Sequence, residues 1–316
     1  MSAMVTKSRH QWLFFSIVGA ALLCASALPS ATAATHRTFA SAQAAADALV
    51  AASSNDDVPG LLEILGPEGK DLIVSEDPVL DKNVAAEFAK LANEKMAIVP
   101  DKANPKKAMV IVGPDDWPLP IPLVEQEGKW KFDTAAGKQE ILLRRIGRNE
   151  LDAIEICNGY VEAQEEYASE PRGGAKINQY AQRVIGNAEK QDGLAWRDAD
   201  GTWRGPIGEK IGGAIAEGYS TRGAPYHGYY FKVLKGQGPA APLGQLDYVV
   251  DGLMIGGFAL VAAPADYRVT GVKTFIVSND GVVYEKDLGP KTLDAFRSME
   301  RFNPDQTWTP VKDEGE

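Results

Sequence analysis

The sequence predicts an α+β protein: N-terminal helices plus an antiparallel meander, a long connecting helix, and a C-terminal antiparallel sheet with helices. Helical patterns with alanine-rich and amphipathic spacing come first, followed by short alternating strands. A long helical pattern then occupies the middle of the chain, and Gly147 interrupts it. The final third is rich in β-branched and aromatic residues separated by Asp-Gly and Asn-Asp-Gly turns, which favours antiparallel strands.

Residues 1–33 have the features of a cleavable export signal. Lys7 and Arg9 form a basic head, an apolar run follows over 12–23, and Ala31-Thr32-Ala33 is an A-x-A cleavage site. The apolar run is shorter than the roughly 20 residues that a membrane-spanning helix needs. We expect cleavage after Ala33, a periplasmic mature protein and no later transmembrane segment. The alternatives are an uncleaved anchor, or a lipoprotein on Cys24, where Leu23 occupies a position that requires a small residue.

Composition restricts the possible partners. The chain has 316 residues, of which 45% are hydrophobic and 24% charged, and its net charge is -10. The signal contains two basic residues and no acid, so its removal leaves a net charge of -12. Phosphate binding needs a basic face, and an acidic chain therefore argues against a nucleic-acid partner.

The predicted N-terminal α+β domain covers residues 34–137. Ser41 is placed to cap the first of its helices. The predicted helices are 42–52, 60–65 and 84–96, and the predicted strands are 109–112, 121–124 and 129–132.

A connecting helix over 138–168 follows, within a connecting segment that ends at 170. Glycine in a helix interior is unfavourable, so Gly147 predicts a kink or a close packing contact. The C-terminal α+β domain, 171–316, is predicted to contain helices 177–186 and 207–216 and strands 229–234, 246–250, 253–261, 272–278 and 282–284.

Six motifs stand in one order along the chain and carry a resemblance to a known family. They are Trp117-Pro118-Leu119-Pro120-Ile121-Pro122-Leu123, Arg144-Arg145-Ile146-Gly147-Arg148-Asn149-Glu150-Leu151, Tyr226-His227-Gly228-Tyr229-Tyr230, Gly236-Gln237-Gly238-Pro239-Ala240, Gly256-Gly257-Phe258-Ala259-Leu260 and Tyr284-Glu285-Lys286-Asp287-Leu288-Gly289. Together they resemble the exported bacterial family known as domain of unknown function 2950, over essentially the whole mature chain. The resemblance implies an exported Gram-negative protein and supplies no catalytic residues.

The scarcity of histidine and cysteine argues against several classes of active site. Only His36, His227 and Cys157 remain after the signal, so a multi-histidine or cysteine-rich metal site is excluded within one chain. Cys157 lies on an apolar helix face and is interpreted as a buried thiol, the alternative being an intermolecular disulfide or a reactive thiol. Classical serine hydrolases are disfavoured because no G-x-S-x-G motif accompanies His227. We expect no cofactor and no metal.

The acidic loop from Asp198 to Glu209 has part of an EF-hand spacing. Position 6 of that spacing is Trp203, where the calcium loop requires glycine. We therefore interpret the segment as a solvated loop.

Arginines on the connecting helix form one candidate ligand site: Arg144, Arg145 and Arg148. Glu140, Arg144, Arg148 and Asp152 follow each other at i,i+4 spacing, which predicts an acid–base ladder on one helix face. A structural ladder is one interpretation, and an anion-binding patch is the other, since guanidinium groups bind carboxylate and phosphate.

Aromatic residues form the second candidate site. Seven of them lie between Trp196 and Phe231, and Tyr226, His227 and Tyr230 are the candidate ligand-binding residues among this group. Aromatic faces bind sugar rings and peptides, although aromatics in strands also serve as core. Strand alternation predicts that Tyr229 is core and that Tyr230 lies on the other face.

Three functions are open from sequence. The first is a non-enzymatic envelope binding or accessory protein whose ligand is an envelope glycan or another exported protein. The second is a carboxylate-dependent hydrolase of envelope glycan or peptide, with Glu150 and Asp192 as candidate carboxylates. The third is an assembly partner of another exported protein, because strand-rich segments pair through their edges.

Overall fold

The structure, a computed structural model, describes residues 36–74, 78–216 and 224–312. The predicted signal peptide lies outside the described residues. The helices are α1 (Ala42–Ser54), α2 (Val58–Leu65), α3 (Lys70–Ile73), α4 (Pro78–Glu94), α5 (Thr134–Ala168), α6 (Gly208–Ala216) and α7 (Thr292–Ser298).

Strands occur both before and after α5. The strands before it are β1 (Met96–Pro100), β2 (Lys107–Val112), β3 (Trp117–Pro118), β4 (Leu123–Gln126) and β5 (Lys129–Phe132). Those after it are β6 (Trp196–Arg197), β7 (Trp203–Arg204), β8 (Tyr229–Leu234), β9 (Gly236–Gln237), β10 (Leu246–Asp247), β11 (Val249–Val250), β12 (Leu253–Met254), β13 (Ala259–Pro264), β14 (Lys273–Ser278), β15 (Tyr284–Asp287) and β16 (Thr309–Pro310). The predicted α+β class is confirmed.

The segment before α5 packs around a first hydrophobic core. Ser41 accepts a hydrogen bond from the Ala44 N–H and caps α1, as its position predicts. The small residues of α1 are buried and allow α2 and α4 to approach closely. Antiparallel strands in the order β1-β2-β4-β5, with β3 on β2, form the sheet. Its alternating buried positions, such as Val110 and Val112, face this core.

Helix α5 joins this core to the second one. Its 35 residues span about 50 Å at 1.5 Å per residue. The Asp133 carboxylate caps its N-terminus by accepting from the Ala136 N–H at 3.0 Å, so the helix begins four residues before the predicted start at 138. Near this end, the Thr134 hydroxyl donates to the Leu65 carbonyl at 2.7 Å.

The second core forms around an antiparallel sheet in the order β16-β15-β14-β13-β8. All six residues of β13 are buried, because neighbouring strands flank it while α5 and α7 pack against it. Strand β8 lies at the edge of this sheet. Cys157 is fully buried in this core, which confirms its interpretation as a buried thiol, and burial raises its pKa to about 12.

Several predicted elements differ from the structure. The predicted helix over 177–186 is wrong: the segment is irregular and pairs through single bridges, Tyr180 with Met254 and Ile185 with Ala195. The predicted strand over 253–261 is two strands, β12 and β13, separated by Gly256 and Gly257. A Cβ at Gly256 would lie 2.6 Å from the Asp247 carbonyl, so the close approach of two backbones breaks the ladder there.

Among the residues that the structure describes, no helix is both long and apolar enough to cross a membrane.

Candidate functional site

A cavity of about 680 Å³ lies beside the edge strand β8, between α5, α6 and the irregular segment after α5. Its walls are mainly aliphatic and aromatic, and the polar groups Asp152, Glu155, Lys210 and His227 also line it. The apolar side chains that line it are Ile156, Tyr160, Val184, Ile185, Leu194, Ile207, Ile211, Ala214, Tyr226, Tyr230, Phe231 and Leu260. A mainly apolar cavity of this volume with a few polar groups is typical of a small-molecule site.

Two helical glycines help to leave this space open. Gly159 on α5 and Gly213 on α6 both line the cavity. A Cβ at Gly213 would have no neighbour within 4 Å, and one at Gly159 would meet only the Lys210 Nζ, at 3.6 Å. Larger residues at either position would therefore project into the cavity.

The predicted residues Tyr226 and His227 lie on a two-residue hairpin turn that enters β8. The Tyr226 N–H donates to the Tyr229 carbonyl at 2.8 Å, and the Tyr229 N–H donates back at 3.0 Å. Between them, His227 and Gly228 have φ values of +47° and +75°, the left-handed pair that a type I′ turn requires. The turn presents His227 at the cavity wall.

Close packing fixes the position of this turn. A Cβ at Gly228 would lie 2.5 Å from Asn149 Nδ2, so only glycine fits between the turn and α5. Asn149 in turn donates to the Thr270 carbonyl at 2.8 Å.

Asp152 contacts His227 at the cavity wall. Asp152 Oδ2 and His227 Nδ1 are 2.5 Å apart, and roughly a third of each side chain is exposed. The contact between the carboxylate and the Nδ1 side of the ring orients the imidazole at the cavity wall.

The three arginines do not lie at this cavity. Arg144 is half-buried: it donates to Glu140 at 2.8 Å and to the Pro118 carbonyl at 2.9 Å, and it stacks over Trp117. Arg145 and Arg148 are exposed. The predicted ladder forms only at its first step, and the predicted Arg148–Asp152 pair is wrong, because Asp152 binds His227 instead.

The two carboxylates proposed for hydrolysis accept hydrogen bonds from other parts of the protein. Glu150 accepts from the backbone N–H groups of Val272 and Lys273 at 2.8 and 3.0 Å, which ties α5 to the start of β14. Asp192 accepts from the backbone and side chain of Asn187 at 2.6 and 2.7 Å. Neither residue lines the cavity.

The acidic loop near Asp198 forms a hairpin, β6–β7. Asp198 accepts from Trp196 Nε1 and Arg204 Nε at 3.2 and 3.1 Å, and Asp200 accepts from the Thr202 N–H. Within the described ranges, no group of three or more His, Cys, Asp or Glu side chains could hold a metal ion.

Of the aromatic residues between Trp196 and Phe231, some lie in the core and others line the cavity. Tyr229 is fully buried, as predicted, and its hydroxyl donates to the Lys273 carbonyl at 2.9 Å. Trp196 is buried as well, whereas Tyr226 and Tyr230 are half-buried at the cavity. Tyr219 lies outside the described residues.

Sequence reasoning did not identify Asp152, Lys210 or the two cavity glycines as parts of one site. The i,i+4 spacing of Ile207 and Ile211 indicates an apolar helix face, and Gly213 close after them has no side chain to fill the space beside it. Their proximity to α5 depends on contacts between segments far apart in sequence.

The chain belongs to the family described as "Protein of unknown function (DUF2950)", whose model matches residues 36–311. The resemblance carried by the six motifs is thereby confirmed. Comparisons with curated proteins and with solved structures found no match.

Proposed function

We propose that this protein is a periplasmic binding protein of the cell envelope and that its ligand is a small amphipathic molecule held in the cavity beside β8. The cavity carries this proposal, because its volume lies within the range of small-molecule sites and its mainly apolar lining includes a few polar groups, Asp152, Glu155, Lys210 and His227. The aliphatic lining favours a ligand with an apolar part over an unmodified glycan. Export is supported by the basic head, apolar run and A-x-A site of residues 1–33.

A steric variant with a matched control tests the binding site. Gly159→Leu projects a side chain into the cavity, whereas Gly147→Leu makes the same change on the same helix where a Cβ has no neighbour within 4 Å. Both variants gain helix propensity of up to about 1 kcal/mol. The fluorescent probe 8-anilinonaphthalene-1-sulfonate, which is itself small and amphipathic, reports occupation of the cavity.

We expect saturable binding of one probe molecule to the mature protein and to Gly147→Leu. Gly159→Leu should bind at least about tenfold more weakly, a loss of about 1.4 kcal/mol. Equal binding by the two variants would show that the probe lies elsewhere and would remove the support for this cavity. Mass spectrometry of a solvent extract from the protein purified out of periplasm would then identify the natural ligand.

A further inference from the structure

The two edges of the C-terminal sheet differ in how they are protected. One edge is β16, which has two residues, Thr309–Pro310, and its proline cannot donate to a further strand. The other edge is β8, a six-residue strand of sequence Tyr-Tyr-Phe-Lys-Val-Leu. Its charged residue, Lys232, donates to the Arg297 carbonyl at 3.1 Å. A long apolar edge strand without proline is of the kind that pairs with another chain.

Hydrogen bonds at the start of β8 show which of its backbone groups point away from β13. The N–H and C=O groups of Tyr229 bond to Tyr226 in the hairpin, on the outer side of the strand. The Gly228 carbonyl accepts from the residue that follows β13, on the inner side. Because these directions alternate along a strand, the N–H and C=O groups of Phe231 and Val233 point outward.

The outer side of β8 is open between two occupied positions. The hairpin occupies it at Tyr229, and the Tyr248 N–H donates to the Lys235 carbonyl at 3.0 Å. In the part of the chain that the structure describes, no hydrogen bond outside the ladder with β13 involves the backbone of Phe231 or Val233. The open stretch therefore offers two N–H and two C=O groups, with room for an extended segment of about five residues.

The cavity reaches this open edge. Tyr230 and Phe231 are neighbours in the strand, so their side chains point to opposite faces of the sheet, yet both residues line the cavity. On its own face, the Tyr230 ring lies 6.3 Å from the ring of Phe296 on α7. A space that is lined from both faces of one strand lies along the edge of that strand. A ligand in the cavity therefore covers the outward backbone groups of Phe231.

We propose that the ligand of the cavity is a short extended peptide that adds to β8 as a sixth, antiparallel strand of the sheet. This inference rests on the proposed function, because the peptide occupies the same cavity. A ligand without hydrogen-bonding groups would remove water from the Phe231 N–H and C=O groups and leave them unpaired, which is unfavourable. An extended peptide has donors and acceptors at the same two-residue spacing as Phe231 and Val233.

The pairing also predicts which peptide residues are apolar. In an antiparallel pair, two residues that exchange hydrogen bonds lie opposite each other, with their side chains on the same face. The peptide residues bonded to Phe231 and Val233 therefore direct their side chains to the face of Phe231, where apolar walls favour apolar residues. Helix α6 forms another wall of the cavity, which favours a single peptide strand over the sheet of a second copy of this chain.

Backbone methylation of a model peptide tests this pairing. The probe is acetyl-Thr-Ile-Thr-Ile-Thr-amide, and we expect it to bind the mature protein with one-to-one stoichiometry in calorimetry and to displace 8-anilinonaphthalene-1-sulfonate. Methylation of both isoleucine nitrogens removes the donors that face β8 and should weaken binding about tenfold or more. Methylation of the nitrogens of the second and third threonines is the matched control. Those groups face away from β8, so the affinity should stay within about twofold of the unmodified peptide.

Val233→Pro tests the same pairing from the side of the protein. The Val233 N–H points outward, so proline there removes a donor for the peptide and no bond to β13. We expect about fivefold weaker binding of the peptide and unchanged binding of the fluorescent probe, because Val233 does not line the cavity. Val233→Ala retains the N–H and should bind the peptide like the parent. If Val233→Pro fails to fold, the two methylated peptides decide the question on the parent protein.

The two proposals fail in different ways. If the fluorescent probe binds saturably and Gly159→Leu weakens it, but the peptide neither binds nor displaces it, the binding function stands and the peptide inference is overturned. Equal affinities of the two methylated peptides would contradict pairing with β8. A dimer of the parent in sedimentation that Val233→Pro abolishes would assign the edge to a second copy of the chain instead. If the parent binds neither the fluorescent probe nor the peptide, both proposals are overturned.

Discussion

Asp152 has two possible basic partners, Arg148 one turn earlier on α5 and His227 in the hairpin turn. The structure pairs it with His227 at 2.5 Å. Arg148 is exposed, and ordering a long exposed side chain costs entropy that a surface ion pair hardly offsets. The His227 imidazole is already held by a rigid turn, so it loses less conformational entropy than Arg148 would on pairing with Asp152.

Lys138 bonds to residues before α5, whereas the pair predicted for Arg148 with Asp152 does not form. Its ammonium group donates to Asp71 at 2.6 Å and to the Glu68 carbonyl at 2.9 Å. We expect Lys138→Ala to lower the melting temperature by a small but measurable amount, and Arg148→Ala to leave it unchanged. Parallel thermal melts of the two variants check this, and a larger loss in Arg148→Ala would contradict the assignment.

The Lys138–Asp71 contact also predicts a pH dependence. The hydrogen bond from Lys138 holds the pKa of Asp71 below its ordinary value of 3.8. A lowered folded-state pKa stabilises the protein above the unfolded pKa, and this stabilisation is lost as pH falls through the folded value. The difference in melting temperature between the parent and Lys138→Ala should therefore be full at pH 7 and shrink below about pH 4.

Tyrosines of the hairpin and β8 differ in what their side chains contact. Tyr229 is fully buried and packs tightly against Gly271, so Tyr229→Ala should cost about 3–5 kcal/mol of unfolding free energy. Tyr226→Ala and Tyr230→Ala should stay folded and weaken binding in the cavity, because both side chains are half-buried there. Urea unfolding of the three variants measures the difference, and similar losses in all three would place these tyrosines in the core.

At the scale of elements, α5 has glycines with opposite roles. Gly137 is buried against Ile121, and a Cβ there would lie 2.6 Å from Ile121 Cγ1 and 3.0 Å from its Cα. A Cβ at Gly147 would have no neighbour within 4 Å, so of the two alternatives predicted there, a kink or a close packing contact, the close contact is wrong. The position of a glycine along the helix does not indicate whether a side chain would fit there.

These glycines give a paired prediction. Gly147→Ala should raise the unfolding free energy by up to about 1 kcal/mol, because alanine favours the helix and meets nothing. Gly137→Ala should lower it by about 1–3 kcal/mol, since Ile121 beside it must move. Denaturant unfolding of both variants checks the signs, and stabilisation by Gly137→Ala would contradict the packing described.

Local patterns predicted most helices and strands because their causes are local. The Ser41 cap, the α1 alanines and the Asp251-Gly252 turn all act over a few residues, and φ values of +48° and +81° at that turn agree with its sequence. The helix predicted over 177–186 is wrong because bridges to Met254 and Ala195 override the helical spacing of the segment. Tyr226, His227 and Tyr230 were predictable as a motif, but the cavity they line depends on how α5 and α6 pack.

Across the whole molecule, α5 is the element that is bonded to both hydrophobic cores. Its first part binds the first core through Thr134, Gly137 and Arg144. From Asn149 onward it binds the second, through the Thr270 carbonyl and the N–H groups of Val272 and Lys273. Asp152 lies within one turn of this second anchor, so its position is set by bonds that also hold the sheet.

Processing of the chain is the last prediction and concerns the whole molecule. Cleavage after Ala33 would remove Lys7 and Arg9 together with the apolar run, and it would leave a strongly acidic protein. We expect the intact mass of the protein recovered from the periplasmic fraction to correspond to a chain that begins at Ala34. Replacement of Ala31 and Ala33 by bulky residues should block cleavage, because the signal peptidase accepts small residues at these positions. A stable membrane-bound form that retains residues 12–23, or a lipid on Cys24, would contradict the periplasmic proposal while leaving the cavity unaffected.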